Sequence, residues 1–115
     1  MRSGGDGMTV FRVERYFIKP EKSEEYHAII KKWTAYIKKN KEKCRELKSW
    51  KLFSQTIGDN VGEFVEMWEL ESLADCEKLV NKMMQDKEFQ AVASQFYKDC
   101  LVPATYSVNI WNSIG

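Results

Sequence analysis

Four segments of the chain combine β-branched and aromatic residues with the alternation that is typical of β-strands. They are predicted at residues 9–19, 47–57, 61–70 and 105–111. The third segment stands out because both of its alternating faces carry apolar bulk: Phe64, Glu66, Trp68 and Leu70 on one, Val65, Met67 and Glu69 on the other. A strand with two apolar faces needs cover on both sides, so we expect it in the middle of a sheet.

Two further segments place apolar residues at helical spacing. In the first, Ser23 is the predicted N-cap, the helix is expected to end between Asn40 and Cys44, and the buried stripe comprises Tyr26, Ile29, Ile30, Trp33, Tyr36 and Ile37. The second opens at Ser72, with Asp75 completing an approximate capping box. Its predicted stripe comprises Cys76, Leu79, Val80, Met83 and Met84.

The second helix is expected to break at Gln85 and Asp86 and to resume in a stretch that Pro103 ends. Gly58-Asp59-Asn60 is turn chemistry and makes the second and third strands a hairpin. The resulting order, βαββαβ, predicts an α+β fold of the ferredoxin-like type. Right-handed crossovers then give a four-stranded antiparallel sheet with strands one and three central and both helices on one face.

The opposite face of such a sheet would expose too much apolar surface for a monomer. We therefore expect a homodimer in which two sheets pack face to face as a dimeric α/β barrel. This arrangement would leave a pocket between each sheet and its own helices, or between the two sheets.

The length of 115 residues corresponds to one domain, which we place at residues 9–115. Residues 1–8 are polar and Gly-rich, and we interpret them as a disordered tail or tag remnant outside the fold. Eighteen basic residues nearly balance 17 acidic ones, so net charge favours neither nucleic acid nor membrane as a partner.

Charge is nevertheless unevenly distributed. Residues 31–51 hold nine basic and two acidic side chains, whereas residues 59–77 hold seven acidic side chains and no basic ones. The simpler interpretation is a solvated basic helix end followed by an acidic hairpin. The alternative is an interaction surface, either between two copies or toward an anionic partner.

Cys44, Cys76 and Cys100 are odd in number and lack metal-ligand spacing. We interpret them as reduced structural thiols, which together with the absence of a predicted signal peptide or long apolar span favours a cytoplasmic protein.

Three short motifs resemble the dimeric α/β-barrel superfamily of the antibiotic-biosynthesis-monooxygenase type. The segment from Tyr16 to Tyr26 (YFIKPEKSEEY) is similar to the strand, V-K-P-G-K and aromatic opening of that family. Glu66-Met67-Trp68-Glu69 is similar to its E-x-W-x on strand three, and Asp86-Lys87-Glu88-Phe89 to its D-x-E-F turn. The resemblance extends from Thr9 to about Trp111 and implies a homodimer.

Two differences from the family pattern limit which properties of the family we expect in this chain. The histidine often found about nine residues after the strand-three tryptophan is absent here, where the sequence is Cys76-Glu77-Lys78. The haem-degrading branch also requires an asparagine on strand one, where this chain has Arg12 and Glu14. We therefore expect no haem, other cofactor or metal, and the single histidine, His27, is expected to be a surface or cap residue.

Glu66 is the candidate catalytic residue because a carboxylate beside an aromatic wall would serve as a general base. The resemblance then implies an oxygenase without cofactor, in which the base takes a phenol proton and the anion reacts with O₂. Candidate substrate-binding residues are Trp68, Arg12, Glu14, Asn109 and Trp111. The simpler alternatives are that Glu66 pairs with Arg12 or Arg15 across the sheet and that the tryptophans are core or interface residues.

The leading hypothesis is a dimeric protein that binds a small apolar or aromatic ligand, with a cofactor-independent monooxygenase of the quinol or polyphenol type as its enzymatic form. The alternative is a non-catalytic ligand-binding or structural homodimer of the same superfamily. A third hypothesis is an assembly module that uses the basic and acidic stretches. No partner other than itself and a small molecule is expected.

Overall fold

A computed structural model describes residues 9–115, so the predicted tail at 1–8 lies outside the described residues. The strands are β1 (Val10–Tyr16), β2 (Ser49–Ser54), β3 (Phe64–Leu70) and β4 (Ser107–Asn112). The α-helices are α1 (Ser23–Lys39), α2 (Leu73–Met84) and α3 (Lys87–Gln95). A 3-10 turn, Pro20–Lys22, precedes α1, and a π-helix, Phe96–Cys100, follows α3.

The four strands form an antiparallel sheet in the order β2-β3-β1-β4. The predicted ferredoxin-like topology is confirmed, with β1 and β3 in the centre. Tyr16, Glu14, Arg12 and Val10 of β1 lie opposite Phe64, Glu66, Trp68 and Leu70 of β3. These eight residues share the face that the helices cover, and they include Glu66, Arg12 and Glu14 of the candidate site.

The strands are shorter than the sequence pattern predicts. β1 ends at Tyr16, and its extension pairs with the segment after the π-helix through an isolated bridge between Ile18 and Leu101. The predicted three-residue turn at Gly58 is wrong in extent, because residues 55–63 all lie in the hairpin loop. The main-chain amide of Gly62, at φ 91°, closes this loop on the carbonyl of Gln55 at 2.9 Å.

The two helix starts differ in their agreement with prediction. Ser72 caps α2 as expected, since its hydroxyl accepts a hydrogen bond from the amide of Asp75 at 3.1 Å. The predicted cap at Ser23 is wrong: Ser23 is the first residue of α1, and its amide donates to the carbonyl of Pro20. The 3-10 turn fixed by Pro20 leads directly into the helix and takes the place of a side-chain cap.

The core consists of two apolar clusters on the helix-covered face. The first surrounds Trp33, Trp68 and Leu79, and the second surrounds Tyr16, Tyr26 and Phe96. The predicted stripe of α2 is buried at Cys76, Leu79 and Met83. Met84, the last residue of α2, is an exception and is 59% exposed.

The opposite face of the sheet is uncovered in one chain. Phe53 and Trp111 on this face are 47% and 46% exposed, and Phe11, Val65 and Met67 are only half-buried. All six residues of the edge strand β4 are exposed. This is the bare apolar surface that the strand pattern predicts.

The three cysteines are buried free thiols, and burial raises the pKa of each. No helix within residues 9–115 is long and apolar enough to cross a membrane.

Asp86 lies in the break between α2 and α3, and hydrogen bonds link it to the end of α1. Its carboxylate accepts hydrogen bonds from Lys43 Nζ and Tyr36 Oη, both at 2.6 Å, and caps α3 by accepting from the amide of Glu88 at 2.9 Å. The bond from Lys43, followed by that from Tyr36, holds the pKa of this carboxyl well below its usual range. We call these three hydrogen bonds the Asp86 clamp; they fix where α3 begins.

The low pKa of Asp86 makes stability depend on pH. A carboxyl group with a depressed folded pKa contributes stability above its unfolded pKa, about 4, and loses that contribution as the pH falls toward the folded value. Asp86→Asn, which retains capping ability, is expected to melt at a lower temperature at pH 7. Its melting temperature should fall less steeply than that of the wild type below about pH 5.

Circular dichroism melts across this pH range provide the measurement. Asp59→Asn, at an exposed carboxylate in the hairpin loop, is the control and should follow the wild-type curve. Parallel curves for wild type and Asp86→Asn would contradict the clamp.

Candidate functional site

A cavity of about 330 Å³ lies between the helix-covered face of the sheet and the three helices of the same chain. Arg12, Glu14, Glu66 and Trp68 form its floor. Its walls are apolar and aromatic, with Trp33 from α1, Met83 from α2 and Phe89 from α3 among the lining residues. Its volume is at the lower end of the range for small-molecule sites.

Glu66 is the buried carboxylate of this floor, with 8% of its surface exposed. Its Oε2 accepts a hydrogen bond from the Tyr16 hydroxyl at 2.5 Å. Its Oε1 accepts from Trp50 Nε1 at 2.9 Å and from Trp68 Nε1 at 3.3 Å. All three contacting groups donate, so both carboxylate oxygens of Glu66 act as hydrogen-bond acceptors.

Tyr16 continues the network to α1, since its hydroxyl oxygen lies 2.8 Å from that of Tyr26. The single hydroxyl proton of Tyr16 is donated to Glu66, so Tyr26 is the donor to Tyr16. Burial raises the pKa of Tyr16 far above its usual value, and the adjacent Glu66 charge adds to this effect. Burial also raises the pKa of Tyr26. Both phenols therefore remain protonated at neutral pH.

Arg12 and Glu14, both on β1, form an ion pair next to Glu66 of β3. The Arg12 guanidinium carbon lies 4.8 Å from the centre of the Trp68 ring, which is cation–π geometry. Arg12 is thus held by a carboxylate and an aromatic face at once. The floor of the cavity then has one cation and two carboxylates, an excess of negative charge.

The π-helix at Phe96–Cys100 completes the wall after α3. Phe96 packs edge-on against Tyr16, with ring centres 4.9 Å apart, and both Phe96 and Tyr97 line the cavity. π-Helical turns are rare and concentrate at functional sites. Here the wider turn places two consecutive aromatic rings beside the network that ends at Glu66.

The structure brings together four of the six predicted site residues: Glu66, Trp68, Arg12 and Glu14. Asn109 and Trp111 lie elsewhere, because they pair with Val13 and Phe11 and therefore share the uncovered face of the sheet. They cannot join Glu66 in this cavity. His27 does not line it either; its ring Nδ1 lies 2.7 Å from the carbonyl of Ser23, on an exposed part of α1.

The alternative pairing of Glu66 with Arg12 or Arg15 is wrong. Arg12 pairs with Glu14, and Arg15 binds the hairpin carboxylate Glu63 at 2.8 Å. The hydrogen-bond partners that Glu66 does have were not predicted from the sequence. The register of the strands could have indicated them. Trp50 of β2 lies opposite Trp68 of β3, and Tyr16 is two residues beyond Glu14 and therefore on the same face of β1.

Several residues of the basic stretch are used in ion pairs within the chain. Lys39 pairs with Glu88, Lys43 with Asp86 and Lys48 with Glu71. These contacts join the end of α1 and the β2 region to acidic residues of other elements. Within residues 9–115, no cluster of three or more histidine, cysteine or acidic side chains is arranged to hold a metal ion.

The topology and the helix-lined cavity define a ferredoxin-like α+β domain with a pocket beneath its helices. A model of the NIPSNAP family matches residues 11–104. The chain therefore belongs to the NIPSNAP family. No curated protein matches the sequence.

Solved structures support the same fold. A NIPSNAP family protein from Agrobacterium tumefaciens has a TM-score of 0.71 at 19% identity, covering 92% of this chain and 86% of its own. An uncharacterized NIPSNAP domain protein from Burkholderia xenovorans has a TM-score of 0.66 at 13% identity, with coverage of 92% and 95%.

A third similar structure, from Caulobacter crescentus, is provisionally assigned as an antibiotic biosynthesis monooxygenase. Its TM-score is 0.68 at 11% identity, with coverage of 93% and 91%. The resemblance in fold that the three sequence motifs indicate is thus confirmed.

The network around Glu66 predicts unequal effects for two similar substitutions. Tyr16→Phe leaves Glu66 Oε2 without its donor and Tyr26 without its acceptor, so it should lower the free energy of unfolding by about 2 kcal/mol. Tyr26→Phe keeps the bond from Tyr16 to Glu66 and should cost less, about 1 kcal/mol. Urea denaturation of the two variants measures both. An equal loss, or a larger one for Tyr26→Phe, would contradict the assigned donor order.

Proposed function

We propose that this protein binds a small apolar or aromatic molecule in the cavity beneath its helices. The observation that carries the proposal is the combination of an apolar wall and a few convergent polar groups, Glu66, Arg12 and Glu14, on one floor. Small-molecule sites are typically built in this way. Trp68 holds Arg12 in place, and Trp33, which stacks on Trp68, also lines the cavity.

Glu66 has the role of hydrogen-bond acceptor in this proposal. A carboxylate offers about four acceptor positions, and the structure fills three of them. A ligand hydroxyl would occupy the fourth. A phenol therefore suits the site better than a plain hydrocarbon.

The same cavity also suits an enzyme, a cofactor-independent monooxygenase that oxidises the bound phenol. Glu66 would accept the phenol proton, and the electron-rich phenolate would react with O₂. With 1-naphthol as substrate, one O₂ would be consumed for each 1,4-naphthoquinone and each water formed, so that the phenol supplies all the electrons. The observation that favours this form is a carboxylate with acceptor capacity in a cavity with aromatic and apolar walls.

Both forms predict that phenols stabilise the protein. 1-Naphthol at a hundred times its dissociation constant should stabilise the folded state by about 2.7 kcal/mol, whereas naphthalene should do less at the same concentration. Glu66→Gln should reduce the preference for the phenol. Glu69→Gln, on the opposite face of the same strand, is the matched control.

Oxygen uptake separates the two forms. Consumption of O₂ in equal amounts with naphthoquinone formation, lost in Glu66→Gln and retained in Glu69→Gln, would support the oxygenase. Stabilisation without uptake would leave a ligand-binding protein. If none of the phenols tested stabilises the protein, the binding proposal fails.

We also propose that two copies pack through their uncovered sheet faces. The exposed Phe53 and Trp111, the half-buried Met67 and the exposed edge strand β4 support this arrangement. An apolar face of this kind is typical of a surface that another chain covers. In this arrangement Asn109 and Trp111 belong to the contact between copies rather than to the ligand cavity.

Dimerisation has a direct test by analytical ultracentrifugation. The wild type should sediment as a dimer at micromolar concentration, and the pair Phe53→Lys and Trp111→Lys should raise the dissociation constant at least about thirtyfold. Leu73→Lys, at an exposed apolar residue on the helix side, should leave it unchanged. A wild-type monomer would contradict the proposal.

A further inference from the structure

Glu66 is a buried carboxylate that lacks an ion pair. Within residues 9–115, the buried carboxylates are Glu14, Glu46, Glu63 and Glu66. The first three each pair with a basic side chain, respectively Arg12, Lys82 and Arg15. Glu66 has only the neutral donors of a tyrosine and two tryptophans. Because buried charges in proteins are nearly always paired, we expect a positive charge beside Glu66 that this part of the chain does not supply.

Arg12 does not supply this charge. Its guanidinium pairs with Glu14 and lies over the ring of Trp68, 4.8 Å from the ring centre. Glu14 is the direct partner of Glu66 in the register of β1 and β3, so the two carboxylates lie on the same face of the sheet. Like charges directly opposite each other on neighbouring strands are destabilising. One guanidinium offsets one of these carboxylates, and the other remains without a counter-charge.

The floor of the cavity therefore has a net negative charge. Of the described residues that line the cavity, only Arg12, Glu14 and Glu66 have charged side chains, and their formal charges sum to one negative charge. A cation is attracted to this floor even without direct contact, because Coulomb attraction weakens slowly with distance in apolar surroundings. The formal net charge of the whole chain is +1, so the protein does not attract cations in general.

The walls of the cavity determine which kind of cation fits. Calcium and magnesium ions take about six or more ligands, most of them oxygen atoms, whereas the described chain holds no group of three or more side chains arranged for a metal. The cavity walls are apolar and aromatic, with Phe89 and Phe96 among them. Aromatic rings attract organic cations through their faces. A protonated amine on an aromatic body therefore matches both the floor and the walls.

We propose that the cavity binds aromatic molecules with a protonated amine in preference to uncharged molecules of the same shape. The ammonium group donates to the open acceptor position of Glu66 and balances its charge, while the aromatic body lies against the apolar walls. This inference rests on the proposed function, since it specifies the charge of the ligand for the same cavity. It assigns to Glu66 the recognition of a cation.

Four naphthalene derivatives that differ in one substituent at one ring position test this preference. 1-Naphthylmethylamine is protonated at neutral pH, 1-naphthalenemethanol is an uncharged donor, 1-naphthoate is an anion, and 1-methylnaphthalene has no polar group. Dissociation constants are measured by isothermal titration calorimetry. In the wild type, the amine should bind about five- to tenfold more tightly than the alcohol, because hydrogen bonds from a charged donor to a carboxylate are the stronger ones. The naphthoate should bind more weakly than the alcohol.

Glu66→Gln removes the negative charge and keeps the size of the side chain. The preference for the amine over the alcohol should fall to about onefold in this variant, while any general loss of packing affects both compounds alike and cancels in the ratio. Glu69→Gln, on the opposite face of the same strand, is the matched control and should keep the preference. An unchanged ratio in Glu66→Gln would overturn the inference and leave the proposed binding intact.

The order of affinities in the wild type is a test that needs no variant. If the alcohol binds as tightly as the amine, or more tightly, the inference is wrong even where Glu66→Gln does not fold. If none of the four compounds binds, it is the proposed function itself that fails.

Discussion

Glu66 accepts hydrogen bonds from side chains of both apolar clusters of the core. Tyr16 belongs to the cluster beneath the start of α1, while Trp68 belongs to the other and Trp50 packs against it. One carboxylate on the central strand β3 therefore ties the two clusters to each other. Because it lies between them, the position of the helices over the sheet and the shape of the cavity floor both follow from where this group is held.

Stability alone is a weak reason for such an arrangement. A buried carboxylate loses its hydration, and neutral donors recover only part of that cost. A hydrophobic side chain of similar size at position 66 would fill the same space without it. Departures from the best packing tend to occur where a protein does its chemistry.

The sequence predicts the fold because hydrophobic periodicity and turn residues act locally. The order of elements, the central place of β1 and β3, and the buried faces of α1 and α2 all follow from it. The candidate site was predicted only in part. Glu66, Trp68, Arg12 and Glu14 were brought together by alternation on two neighbouring strands, whereas Asn109 and Trp111 could not be placed before the register of β4 was known.

Other features depend on contacts that no local pattern contains. The pairing of Arg15 with Glu63 joins β1 to the hairpin loop, and the partners of Glu66 come from three strands and depend on side-chain directions. Phe96 and Tyr97 are adjacent in the sequence in any kind of helix, so their spacing does not predict the π-helix. The sequence therefore predicts which residue types are available to the site, and tertiary packing decides which of them meet.

Helix α3 forms the outer wall of the cavity, yet none of its residues is fully buried. Segments with few buried contacts open at a lower free energy than the strands beneath them. Amide hydrogens of α3 should therefore exchange with solvent sooner than those of β1 and β3. Because α3 is one wall of the cavity, its local opening would expose the floor to solvent while the sheet stays folded.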